Sequence, residues 1–276
     1  MRIAVFGPLG PNPTRHLHDP GPDPGTGPPA EGVQGGAGAN VAYGLGVLGL
    51  APVLVAEGTD PGGVRARLER HGVRTRAESV PPYEGIAPDL VVLASRDPEA
   101  MLRHTEECRK EGIPFATRPP QRLDGMSRAD AQFLISGAGH LFTNERQASV
   151  LQERSGWSAR RILDSVGTWT TSLGPDGVLL ERDGHEPVVI PAVPGVAVAN
   201  GIGAGDALCA GTLAGVARGL APADACRFGC VVASLALEAG GAQAYGGYAA
   251  SAPARTRAVY GHGAGTAGAR TMAGAV

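Results

Sequence analysis

The chain has 276 residues and a formal net charge of −2, and 43% of its residues are hydrophobic. This length and hydrophobic content predict one large α/β domain with a substantial core. The nearly neutral charge gives no electrostatic reason to expect nucleic acid or an anionic membrane as a partner.

Glycine and proline are frequent, with 43 and 23 residues, and they concentrate near the two ends of the chain. Residues 8–34 show no periodicity, which predicts a long surface loop. Residues 261–276 are rich in glycine and alanine and predict a disordered tail. The folded domain is therefore predicted to span residues 1–260.

The apolar residues 2–6 predict a first strand rather than a signal peptide, and no apolar run reaches membrane-spanning length. The cysteines form no CxxC pair, and no histidine lies at a zinc-site offset from them, so we predict no metal site built on cysteine. We interpret them as buried apolar residues of a protein in the reducing cytoplasm: Cys108, Cys209, Cys226 and Cys230.

Strands and helices are predicted to alternate along the rest of the domain. Apolar runs predict strands at residues 52–56, 89–94, 113–116, 140–143, 168–173, 177–182 and 186–191. Helical periodicity predicts helices over residues 37–49, 61–71, 97–111, 128–136, 145–154, 158–165, 203–219 and 221–239. This alternation predicts a doubly wound, mainly parallel sheet with helices on both faces.

A glycine-rich turn, Gly203-Ala204-Gly205-Asp206, opens one of the strongest predicted helices. Free N–H groups and the helix dipole favour an anion, such as a phosphate group, at such a turn. The carboxylate of Asp206 could accept a proton from a substrate hydroxyl group beside that anion. A simple helix-capping role for Asp206 explains the same residues, and the pattern alone leaves both readings open.

Four separate elements of the chain resemble the PfkB/ribokinase family of sugar and nucleoside kinases. The turn at Gly203–Asp206, followed by Ala207, Ala210-Gly211 and Ala214-Gly215, resembles the C-terminal signature of that family. The other three resembling elements are Gly35–Ala42 with Leu45-Gly46 and Leu48-Gly49, then Phe142–Glu145, then Ser172–Gly177. The resemblance covers about residues 1–260, and it looks closest to bacterial adenosine-kinase-like and sugar-kinase-like members.

The resemblance implies a ribokinase-like fold and transfer of the γ-phosphate of ATP, with Mg²⁺, to a hydroxyl group of a nucleoside or sugar. By motif position, it implies that Asp206 is the general base and that the anion hole is formed by Gly203, Ala204 and Gly205. It implies nucleotide-binding positions at Asn144, Ser172, Gly174 and Gly177. It implies a substrate pocket lined by Asn12, Gly35, Gly36 and Asn40.

The chain also departs from the family pattern. Asn12 stands where the family usually has an aspartate that holds sugar hydroxyl groups, and Gln147 replaces a glutamate that helps to organise magnesium. Asn200-Gly201-Ile202 replaces an Asp-Thr-Thr sequence before the glycine-rich turn. The β-sheet lid of the family is reduced or absent, since loop 8–34 and a short segment after Val73 take its place.

Three functions therefore stay open: an ATP-dependent kinase, a ribokinase-fold enzyme with other chemistry on a nucleoside-like or phosphorylated substrate in a specialised biosynthetic pathway, and a non-catalytic ligand-binding member. We expect a small-molecule substrate, and a homodimer is one arrangement that the chain could adopt. Arg118 either contacts a phosphate group or is a solvated loop arginine. Trp157 and Trp169 are predicted to be packing residues, and His104 an ordinary surface or core residue.

Overall fold

The computed structural model of the chain describes residues 1–10, 36–60, 63–79, 81–120, 123 and 125–261. Most of the predicted loop 8–34 and of the predicted tail 261–276 lies outside these ranges, as do the predicted substrate residues Asn12 and Gly35. None of the helices in the described part is long and apolar enough to cross a membrane.

The described residues form one sheet of nine strands. The strands are β1 (Ile3–Pro8), β2 (Val53–Glu57), β3 (Arg74–Ala77), β4 (Leu90–Leu93), β5 (Phe115–Thr117), β6 (His140–Asn144), β7 (Thr168–Ser172), β8 (Val178–Glu181) and β9 (Val188–Ile190). Their order in the sheet is β3-β2-β1-β4-β5-β6-β7-β8-β9. The first seven strands in the chain pair in parallel, and β8 and β9 are added antiparallel.

Helices cover both faces of this sheet. They are α1 (Ala37–Val47), α2 (Val64–Arg70), α3 (Pro98–Lys110), α4 (Arg128–Ile135), α5 (Glu145–Ser155), α6 (Ala159–Leu163), α7 (Ala204–Ala217), α8 (Pro222–Glu238) and α9 (Ala252–Tyr260). The predicted doubly wound α/β architecture is therefore confirmed, and local signals explain several boundaries. Asp97, for example, caps α3 by accepting a hydrogen bond from the N–H of Glu99, with Pro98 as the first helical residue.

Two elements differ from the sequence prediction. Helix α9 was not predicted, because a short segment with few apolar residues carries little periodic signal. The segment after Val73 belongs to the main sheet, because Arg74–Ala77 pairs with β2 as the edge strand β3.

Two apolar layers lie on the two faces of the sheet. One contains Val5 of β1 and Val92 of β4, packed with α1, α7 and α8, and the other contains Phe6 and Leu93, packed with α3, α4 and α5. Neighbouring residues of one strand thus serve opposite layers, as expected for a parallel sheet that is buried on both faces. All four cysteines and Trp169 are buried in these layers and in a third, smaller cluster, as predicted.

Helices α7 and α8 approach each other closely because small residues line their contact. A methyl group added to Gly211 would stand 2.8 Å from both the Cα atom of Gly229 and the Cβ atom of Val232. The two helix backbones can therefore approach this closely only because Gly211 has no side chain.

We expect Gly211→Ala to lower the free energy of unfolding by about 1–3 kcal/mol, because the added methyl group overpacks the contact between α7 and α8. Gly247→Ala is the matched control, since Gly247 has open space around it. It should change stability by no more than about 0.5 kcal/mol. Urea unfolding of the three proteins checks this, and equal midpoints for both variants would refute the packing argument.

His104 is buried in the layer beneath α3 and stacks on Phe6. Its ring nitrogens contact the hydroxyl group of Tyr83 at 2.7 Å and a carboxylate oxygen of Glu78 at 3.1 Å. Burial outweighs the Glu78 carboxylate and lowers the pKa of His104 to about 4. His104 is thus a core residue that is neutral at physiological pH.

The low pKa of His104 predicts that stability falls as the pH drops. In the unfolded chain His104 binds a proton below about pH 6.5, whereas in the folded chain it does so only near pH 4. The contribution of neutral His104 to the free energy of unfolding is therefore fully present above pH 6.5 and is lost as the pH falls from 6.5 to 4. We expect a loss of about 1–2 kcal/mol between pH 7.5 and pH 5. Urea unfolding at both pH values measures it, and His104→Gln should reduce the pH dependence. Burial raises the pKa of Glu57, so Glu57 makes the folded protein more stable as the pH falls, opposite to the effect of His104. The same pH dependence in H104Q as in the wild type would contradict the assignment to His104.

Candidate functional site

The glycine-rich turn lies at the beginning of α7, as predicted. Gly203 precedes the helix with a φ of 84°, and a methyl group added there would stand 2.3 Å from Cβ of Ala242, so both backbone conformation and space require glycine. Gly205 is exposed, which leaves the first turn open to solvent. Within the described part of the chain, the N–H groups of Gly205 and Asp206 have no backbone acceptor, so they can donate to an anion.

The carboxylate of Asp206 is buried, with 8% of the residue exposed. Asn40 Nδ2 donates a hydrogen bond to its Oδ2 at 2.8 Å, and Arg118 Nη1 forms an ion pair with its Oδ1. A buried carboxylate needs such partners to remain ionised. Gly203 is the N-cap residue of this helix, and Asp206 lies in the first turn, where its side chain bonds to Asn40 and Arg118.

Asn40 belongs to a chain of hydrogen bonds that leads away from Asp206. Gln243 Nε2 donates to Asn40 Oδ1 at 2.9 Å, and Arg67 Nε donates to Gln243 Oε1 at 3.0 Å. A guanidinium group only donates and a carboxylate only accepts, so the charged ends determine the orientation of both amide groups between them. The chain therefore holds the amide group of Asn40 with its donor directed at Asp206.

Arg118 follows strand β5 and lies beside the glycine-rich turn. A methyl group added to Gly205 would stand 3.2 Å from its Nη2 atom, and 20% of its side chain is exposed. Burial lowers the pKa of its guanidinium group, while burial of the neighbouring Cys209 raises the pKa of that thiol to about 12 and keeps it neutral. The interpretation of Arg118 as a solvated loop arginine is therefore wrong, because its side chain pairs with a carboxylate 88 positions away.

Asn144 and Gln147 lie at the start of α5, which contacts the segment that follows Arg118. Their side chains and backbone N–H groups bond reciprocally at the start of α5, with distances of 2.7 and 3.0 Å. The amide group of Gln147 also donates to the carbonyl oxygen of Pro119, the residue after Arg118, at 2.9 Å. Asn144 pairs with Ser172 between β6 and β7, so these residues extend the site along the carboxyl edge of the sheet.

The remaining predicted residues are less closely joined to Asp206. Gly174 and Gly177 form the turn between β7 and β8, where a methyl group on Gly177 would stand 2.1 Å from the carbonyl oxygen of Ile190. No contact among the described residues links these two glycines to Asp206. Gly36 donates its N–H to the carbonyl oxygen of Leu9 at 3.1 Å, which holds the start of α1 against the end of β1.

Sequence reasoning did not identify Arg67 or Gln243. Both lie far from every recognised motif, and they reach Asn40 only because α1, α2 and the segment after α8 meet in the fold. No pattern of spacing in the sequence points to either residue.

The chain was compared with known families and solved structures. The family model described as pfkB family carbohydrate kinase matches residues 83–246, which is more than half of the chain. A nucleoside kinase from Burkholderia thailandensis, solved with inosine, has 22% identity and a TM-score of 0.78, with 94% of this chain and 98% of that chain covered.

Two further solved structures share the fold. A Methanocaldococcus jannaschii nucleoside kinase has 19% identity and a TM-score of 0.74, covering 94% of this chain and 99% of that one. An Arabidopsis thaliana ribokinase, complexed with ribose and ATP, has 17% identity and a TM-score of 0.64, covering 91% and 98%. The family match, together with this shared fold, shows that the chain belongs to the pfkB family of carbohydrate kinases, which assigns it in general terms to the sugar and nucleoside kinases.

Proposed function

We propose that this protein transfers the γ-phosphate of ATP to a hydroxyl group of a nucleoside or sugar, with Asp206 as the general base. The observation that carries the proposal is the buried Asp206 carboxylate, which Asn40 holds at a helix start where the N–H groups of Gly205 and Asp206 have no backbone acceptor among the described residues. The nucleoside kinase and ribokinase that share the fold were solved with inosine and with ribose and ATP, which supports this class of substrates.

The geometry supports separate roles for the two oxygen atoms of Asp206. Oδ2 is held by Asn40, and Oδ1 faces Arg118, which also borders the exposed Gly205. A substrate hydroxyl group can form a hydrogen bond to Oδ1 beside the guanidinium group of Arg118, and it can then transfer its proton to that oxygen atom. The N–H groups of Gly205 and Asp206 then donate hydrogen bonds to the transferred phosphoryl group, in the anion hole that begins at Gly203 and Ala204.

Because the transition state of phosphoryl transfer is loose, the protein contributes mainly by positioning the reacting groups and by stabilising charge. The Asp206 carboxylate, held in position by Asn40 and Arg118, can therefore serve as the base for a hydroxyl group placed beside it. On this proposal, the nucleotide approaches along the carboxyl edge of the sheet that carries Asn144 and Ser172, with Gly174 and Gly177 shaping the turn beyond them.

Magnesium, which the family resemblance implies, is not matched by the side chains of this site. Mg²⁺ prefers oxygen ligands, and carboxylates in particular. Both oxygens of Asp206 are already bonded, and the amide group of Gln147 is used by Asn144 and Pro119. Among the described residues, no group of three or more histidine, cysteine or acidic side chains is arranged to hold a metal ion.

One observation favours a second candidate, a member that binds its ligand without transferring phosphate. Both oxygens of Asp206 have protein partners, which makes the carboxylate a structural group as much as a base. In that case a nucleoside or phosphorylated ligand would bind at the turn and remain unchanged.

We expect Asp206→Asn to lower kcat by about 10²–10⁴-fold, because the amide group cannot accept the hydroxyl proton. Asp224→Asn is the matched control, since Asp224 is also a first-turn acidic residue of a helix but pairs with Arg227 away from the turn. It should retain the wild-type rate. The assay measures ADP release from ATP over a panel of nucleosides and sugars, with and without magnesium, and mass spectrometry identifies the phosphorylated product.

Turnover that is unchanged in D206N would rule out Asp206 as the base. If no acceptor gives turnover, the phosphotransfer proposal fails. Calorimetric binding of a nucleoside to the wild type without ATP consumption would then favour the ligand-binding alternative.

A further inference from the structure

The positive charge at the candidate site comes from an arginine. Arg118 is the cationic side chain that contacts Asp206, and its Nη2 edge lies beside the exposed first turn of α7. Asn40 bonds to Asp206 through a neutral amide group, and Gln147 bonds through a neutral amide group to the carbonyl oxygen of Pro119, next to Arg118 in the chain. Asp206 is the acidic residue that pairs with Arg118 in the described part of the chain, so this pair offers no excess negative charge to a divalent cation.

The position of Gln147 strengthens this reading. Its amide group bonds to the carbonyl oxygen of Pro119, the residue that follows Arg118. The side chain that stands in place of a magnesium-organising carboxylate is therefore neutral and is held by the segment that carries Arg118. A metal ion at this point would meet the guanidinium group of Arg118 at short range and would be repelled by it.

Arg118 has donors left for an anion. The guanidinium group carries five N–H donors, and the ion pair with Asp206 involves Nη1. The Nη2 side lies next to Gly205, where the N–H groups of Gly205 and Asp206 have no backbone acceptor in the described chain. A phosphate group at this turn can thus accept hydrogen bonds from the helix start and from Arg118 together, which is the planar, multidentate contact that guanidinium groups favour.

We propose that Arg118 supplies the positive charge that holds the phosphate groups of the bound nucleotide, in the place where a magnesium ion with carboxylate ligands would act, so that this protein binds ATP without a divalent metal. The inference rests on the proposed function, because it assumes that a nucleoside triphosphate is the phosphate-bearing ligand.

The test measures ATP binding by isothermal titration calorimetry, in EDTA and in magnesium. We expect the wild-type dissociation constant in EDTA to lie within about threefold of its value in magnesium, since Arg118 is present in both conditions. Arg118→Gln should weaken binding about 10–100-fold in both conditions, the range for losing hydrogen bonds to a charged group. Arg74→Gln is the matched control for loss of one charge, because Arg74 is exposed on the edge strand β3, and it should bind ATP like the wild type.

A second variant separates the guanidinium group from the net charge of the site. Arg118→Gln combined with Asp206→Asn keeps the same net charge as the wild type and leaves no buried carboxylate without a partner. If the double variant melts cooperatively in a thermal unfolding scan and still binds ATP as weakly as R118Q, the guanidinium group itself makes the contact. Wild-type affinity in the double variant would overturn the proposal.

Different binding results would refute the role of Arg118 and the proposed ATP-dependent transfer. If the wild type binds ATP only with magnesium, or if R118Q binds like the wild type, the role of Arg118 is refuted while ATP-dependent transfer stands. If the wild type binds no ATP in either condition, both are refuted.

Discussion

The candidate site depends on the close packing of helix α1 against helix α7. A methyl group added to Gly44 would stand 2.5 Å from Cβ of Ala210, so the two helices touch through their smallest residues. Asn40 and Asp206 each lie one helical turn before these contact residues. The contact between small residues therefore sets the register in which the amide group of Asn40 meets the carboxylate of Asp206.

The buried charge of Asp206 must also be compensated by partners within the fold. A buried carboxylate is costly unless it is paired and hydrogen-bonded, and here its two partners come from separate parts of the chain. Arg118 arrives at the end of β5, and Asn40 is itself oriented by Gln243. The parallel sheet makes this convergence possible, because the ends of its strands and the starts of its helices meet along one edge.

The same network shapes what the site can bind. It leaves the N–H groups of Gly205 and Asp206 without a backbone acceptor in the described chain and places a guanidinium group beside Gly205, which favours an anion. The neutral amide groups of Asn144 and Gln147 offer no carboxylate ligand to a metal ion. The chain thus keeps the fold and the turn of its family but combines them with a different distribution of charge.

Local sequence determined the elements of this protein. Apolar runs and caps such as Asp97-Pro98 predicted most strands and helices, and the pattern Gly203–Asp206 predicted an anion-favouring helix start, because these features depend on neighbouring residues alone. Only the tertiary structure decided the partners of Asp206, which lie 88 and 166 positions away in the chain. The tertiary structure also places Arg118 and Gln243 at the site. The sequence could not predict this, because long-range contacts depend on how the elements pack and leave no periodic pattern along the chain.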